Sequence, residues 1–127
     1  MLRFVRPETV RLPLDDLEDD WILVKRELTY GEERRMFARM YTEAPDGKLT
    51  TNPLHTETAV VLAYLLDWSD LDHPIRGVSR EELEATLDNL DPASMHAIKR
   101  AVDAHLGIQR AARADEKKTI HTGAIAS

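Results

Sequence analysis

AVVLAYLLDW, Ala59 to Trp68, is the longest apolar run in the chain, and the rest of the sequence is read around it. Wound as a helix it is apolar on every side, and a helix without a polar face must be covered from several directions. Its ten residues fall well short of the roughly twenty that cross a bilayer. The cover must therefore come from protein, and the expectation is a central helix from about Thr56 to Trp68 with the flanking elements packed on it.

Working outward toward the N-terminus, either Asn52-Pro53 or Thr56 caps this helix, with proline acceptable only in its first turn. Pro45-Asp46-Gly47 is a turn signal, and the polar stretch from there to Thr51 reads as a loop. Thr29 to Glu32, TYGE, matches a capping box. It opens a helix with Met36, Phe37, Met40 and Tyr41 as its apolar stripe, ending near Ala44. Before it, Val10, Leu12 and Leu14 alternate with polar residues or proline, and Trp21 to Leu28 repeats the period of two, Ile22, Val24 and Leu28 facing one way and Trp21 and Leu23 the other. Between them DDLEDD, Asp15 to Asp20, places five acids in six residues and reads as a solvated turn. The two strands make a hairpin, which is marginal alone in water and must lie on the helices or join a partner's sheet.

Toward the C-terminus, Ser69, Asp70, Asp72, Pro74 and Gly77 form a polar connection. Ser79 to Glu82, SREE, is a second capping box, opening a short helix with Leu83, Leu87 and Leu90 on one face. Asp91-Pro92 starts another, with Met95, Ile98, Val102 and either His105 or Leu106 as its buried stripe. Gly107 is a candidate end for it, and the closing TIHTGAIAS carries no period.

The 127 residues suffice for one core and not two. The expected architecture is α+β, mainly α: an N-terminal β-hairpin followed by about four helices around the central apolar one. A single domain over 1–106 precedes a C-terminal helical extension and flexible tail over 107–127. The absence of cysteine removes disulfides, thiolate metal sites and cysteine nucleophiles. A net charge of -6 and an aromatic share of 6% argue against nucleic acid, which needs a basic face or a stacking platform. The opening MLRFVRPETV lacks the pattern of a secretory signal, and no segment suits a membrane span. The expected location is the cytoplasm.

No catalytic constellation emerges. Of His55, His73, His96, His105 and His121, only His96 and His105 share a helix, on roughly opposite sides, and no HExxH spacing occurs. Asp67, Asp70 and Asp72 could hold a hard cation, but the glycine and closing glutamate of a calcium loop are missing, so they read as a solvated helix end. Ser69 and Ser79 lack nucleophile-elbow glycines, and no GxGxxG or P-loop is present. Lys25, Arg26, Arg34, Arg35 and Arg39 are interleaved with Glu27, Glu32 and Glu33, a salt-laced face rather than a phosphate site. Trp21 and Trp68 are core residues or interface anchors. No enzyme activity, cofactor or metal is expected.

A hairpin ending in DDWILVKRELTYGEERRMFAR, the apolar helix ending LAYLLDWS and a closing LDNLDPASMHAIKRAVDAH, which together cover most of Thr9 to His105, resemble the tail assembly chaperones of long-tailed (siphovirus-like) bacteriophages and related prophages. The shared pattern is a W-x-x-V-K/R-x-x-L-T-x-x-E passage from strand to helix, then D-W-S, a short leucine helix and a D-P helix. The resemblance implies a protein that binds and solubilises the tape-measure protein and helps recruit tail-tube subunits. Such a protein works in the host cytoplasm and is absent from the mature virion. Partner-binding candidates are Trp21 and Leu23 on the outer face of the hairpin, with Met36 and Met40 on the first helix. The alternatives are a small virion structural protein for head or tail completion, or an acidic regulatory or inhibitor protein.

Overall fold

A computed structural model describes residues 1–15, 17 and 19–126, with side chains through Asp115. The fold is α+β and mainly helical. Strands β1 (Thr9–Pro13) and β2 (Trp21–Lys25) lead into α1 (Tyr30–Met40), then β3 (Tyr41–Glu43), β4 (Leu49–Thr51), α2 (Pro53–Tyr64), β5 (Leu65–Trp68), α3 (Arg80–Asp88) and α4 (Pro92–Ala126).

The apolar run divides between two kinds of structure, which corrects the single helix expected to Trp68. Helix α2 stops at Tyr64, and Leu65 to Trp68 continue as an extended strand. β5 pairs antiparallel with β2, so the expected hairpin is the outer part of a three-stranded sheet ordered β1-β2-β5. The physical reason is tertiary. β2 presents one edge to β1, and its other row of amides and carbonyls needs a partner when buried. Ile22 faces Trp68 and Val24 faces Leu65, with a bulge between that leaves Leu66 unpaired. Ile22, Val24 and Leu65 are fully buried. The core thus lies between the inner face of this sheet and helices α2, α3 and α4, and includes Val61, Leu62, Leu83, Ile98 and Val102.

Cap chemistry sets the helix starts. Thr29 Oγ1 accepts the Glu32 amide at 3.1 Å while Glu32 returns to the Thr29 amide at 3.0 Å. Asn52 caps α2 through the Leu54 amide, with Pro53 in the first turn. Ser79 accepts from Glu82 at 3.2 Å and Asp91 from Ser94 at 2.7 Å.

Several connections differ from expectation. Helix α1 ends at Met40 rather than near Ala44, and the stretch read as a loop to Thr51 contains a second hairpin, Tyr41 facing Thr51 and Glu43 facing Leu49. Gly47 at φ 82 makes its turn, a conformation cheap only for glycine. Phe37 and Tyr41 point to solvent, leaving Met36 and Met40 on the covered side. Of the acidic turn, Asp16 and Glu18 lie outside the described residues. Leu17 folds back as partial cover for the core, so that turn is not wholly solvated. In the connection after β5, Ile75 is buried, and a turn with Gly77 at φ 77 delivers the chain to Ser79. The α4 backbone passes through Gly107 without ending there and stays helical across the unpatterned tail to Ala126.

Among the described residues no helix is long and apolar enough to cross a membrane. His105, buried on α4, contacts the Lys25 and Arg26 carbonyls through Nε2 at 3.2 and 3.0 Å, so Nε2 carries the proton and donates. Its ring meets Tyr64 edge to face at 5.9 Å.

Two outcomes test this packing. Leu65→Ala should cost about 2–5 kcal/mol in urea unfolding, and Leu66→Ala, at the bulge, clearly less; equal costs would mean that β5 is wrongly placed. Burial alone would raise the Glu32 carboxyl, but the Lys25 ammonium and the Thr29 amide and hydroxyl outweigh it and hold it below the ordinary 4.5. A depressed carboxyl contributes stability above its unfolded value that is lost as pH falls through the folded one. The melting temperature should therefore fall below pH 4.5, with a smaller drop in Glu32→Gln; an identical acid limb in both proteins would remove Glu32 from the account.

Candidate functional site

Where the start of β2, the end of β5 and the first turns of α4 converge, the surface opens into a groove of about 560 Å³. Leu14, Ile22, Trp68 and Ile98 form a buried apolar floor, with Leu17 and Leu90 half-buried beside them. Asp20, Asp70 and Asp72 stand on the rim. Leu71, between the last two, is 90% exposed, which is unusual for a leucine beside an apolar floor. No lysine or arginine is among the lining residues.

The rim is built by local hydrogen bonds. Ser69 fastens β5 to β2: its amide donates to the Trp21 carbonyl at 3.0 Å, and its hydroxyl accepts the Trp21 amide at 3.1 Å and donates to Asp20 at 2.8 Å. The Trp68 indole donates to the His73 carbonyl at 2.7 Å, closing the connection over the core. Asp70 accepts from the Asp72 amide at 3.0 Å and contacts His73 Nδ1 at 2.9 Å. The His73 bond first, and then the Asp72 amide, hold the Asp70 carboxyl below its ordinary value and therefore charged. A fixed apolar floor with a negative rim suits an apolar segment flanked by lysine or arginine.

The sequence-derived candidates are distributed unevenly. Trp21, half-buried, lines the groove and carries the Arg11 guanidinium over its ring at 3.9 Å. Leu23 lies opposite Arg11 and Asp67 in the sheet register and does not line the groove. Met36 lines a separate cavity on the α1 side, and Met40 is buried, 9% exposed. The four therefore do not form one surface. Asp67 sits on β5, accepts the Trp68 amide and does not line the groove with Asp70 and Asp72. Among the described residues no three His, Asp or Glu side chains gather closely enough to hold a metal. Sequence reasoning passed over Leu71, Leu90 and Ile98 as groove residues. The available signal was an unaccounted leucine inside an aspartate-rich connection.

Compared with protein-family models, curated proteins and solved structures, the chain matches none.

The two tryptophans should separate on substitution. Trp68→Phe leaves the His73 carbonyl without its donor and should cost about 1–3 kcal/mol. Trp21→Phe weakens one cation–π contact and should cost under about 1 kcal/mol. Urea melts of both variants check this, and a larger loss at Trp21 would reverse the assignment of floor and rim.

Proposed function

We propose that this protein is a tail assembly chaperone of a long-tailed bacteriophage or prophage, one that holds the tape-measure protein in solution and helps recruit tail-tube subunits around it. The observation that carries the reading is the groove beside Trp21. An assembly chaperone needs an accessible apolar surface that grips its client without chemistry, and a floor of Ile22, Trp68 and Ile98 under an acidic rim provides one. The rim charges suit a client segment with basic flanks, and their exposure keeps the grip reversible, as a factor released before the tail is complete requires. The ordered resemblance from Thr9 to His105 supports the same role. In this reading the protein acts in the host cytoplasm, has no catalytic residue or cofactor, and does not remain in the virion.

Co-expression with the tape-measure protein of the same genome tests the proposal, scored by the client recovered in the soluble fraction. The unmodified chain should raise that fraction, and the protein should be missing from purified particles. Trp21→Ser combined with Leu71→Ser removes the anchor and the exposed leucine. It should weaken client binding about thirtyfold or more, the effect of losing roughly 2 kcal/mol at a hot spot. A client equally soluble without this chain, together with stoichiometric recovery of the protein from mature particles, would replace the chaperone reading with that of a virion component.

A further inference from the structure

On the α1 side lies a second, smaller hollow of about 200 Å³. Its floor is Met36 from α1 with Ala59, Leu62 and Ala63 from α2, and the two alanines leave the space open. Lys25, Arg35, Arg39 and Arg80 surround it, with Glu32 the one carboxylate among the lining residues. Four cations face one anion on a chain whose net charge is -6.

Lys25 is paired with Glu32. Arg80 spends its guanidinium on the Leu62 carbonyl and, at 3.2 Å, the Leu65 carbonyl. Arg35 and Arg39, one helical turn apart and exposed, have no ion-pair partner among the described residues. Arg80 is held below its ordinary value by burial first and then by the positive charge of Arg39. Like charges kept together beside an apolar floor repel each other, and an incoming anion relieves that repulsion. The hollow is below the roughly 300–1,000 Å³ of a small-molecule pocket and has no aromatic residue for a base to stack on. It has room for about one side chain.

We infer that this hollow is a docking site for an acidic peptide segment of a partner protein, in which one leucine-sized side chain fills the floor and flanking carboxylates meet Arg35 and Arg39. The site is distinct from the Trp21 groove, has the opposite charge, and does not depend on the chaperone reading. A protein carrying both surfaces bridges a basic segment and an acidic one.

The probe is a fluorescein-labelled peptide, Gly-Asp-Glu-Leu-Glu-Asp-Gly, titrated with the full chain and followed by anisotropy at low and high salt. Saturable binding that weakens with salt is expected. Arg35→Glu with Arg39→Glu should weaken it by about tenfold or more at an unchanged melting temperature, and Arg35→Lys with Arg39→Lys should retain most of it. A peptide with serine in place of leucine should bind about tenfold more weakly, given the roughly 1.5–3 kcal/mol of a buried leucine. No saturable binding, equal affinity in the Glu variant, or equal affinity of the serine peptide would overturn the proposal. Displacement by inorganic phosphate at matching concentration would reduce the hollow to a simple anion site. Concentration-dependent self-association that disappears in the Glu variant would give the hollow to the Asp15–Asp20 segment of a second copy.

Discussion

The passage from helix to strand at Tyr64–Leu65 is the constraint on which the rest of the structure depends. A helix that stops inside a core leaves its last carbonyls without intrahelical partners, and each one left unpaired costs about 1–3 kcal/mol. Here the Leu65 amide still reaches the Val61 carbonyl, and Arg80, from the first turn of α3, covers the Leu62 and Leu65 carbonyls. One guanidinium thereby ends α2, frees Leu65 to become extended and ties α3 to the junction. β5 then completes the sheet, and the sheet's inner face supplies one wall of the core.

Charge is sorted by this arrangement rather than spread. The loop after β5 carries Asp70 and Asp72 to one end, where Asp20 joins them at the groove. Helix α1 turns Arg35 and Arg39 toward α2, where Arg80 already stands. The result is an acidic molecule in which the Trp21 groove and the hollow between α1 and α2 are both apolar in their floors and opposite in their rims.

What could be read from sequence follows the range of the interaction involved. Thr29, Ser79 and Asp91 were legible as helix caps, and Asn52 as one of two candidates, because a cap is satisfied within three residues of itself. The β1–β2 hairpin was legible because Val10, Leu12, Ile22 and Val24 alternate. β5 was not, because LLDW follows VVLAY with no glycine or proline between them, and its partner strand lies far upstream. The hairpin at Gly47 was within reach, since tyrosine and threonines flank a Pro-Asp-Gly turn, but three-residue strands are too short for alternation to show. The groove escaped for a different reason. In its floor Ile22 and Ile98 were legible as inward-facing and Trp68 as a core residue or anchor, while its openness depends on how β5, Leu71 and α4 meet in space.

The bulged pairing of β2 with β5 also has a temporal side. The β1–β2 hairpin closes locally, on the order of microseconds once its residues are free. The neighbour that shields its inner edge begins only at Leu65. During synthesis, at roughly 5–20 residues per second, the nascent chain thus carries Ile22 and Val24 beside an open strand for seconds before the covering segment leaves the ribosome. Non-local strand pairing of this kind slows folding and exposes chains to sticking.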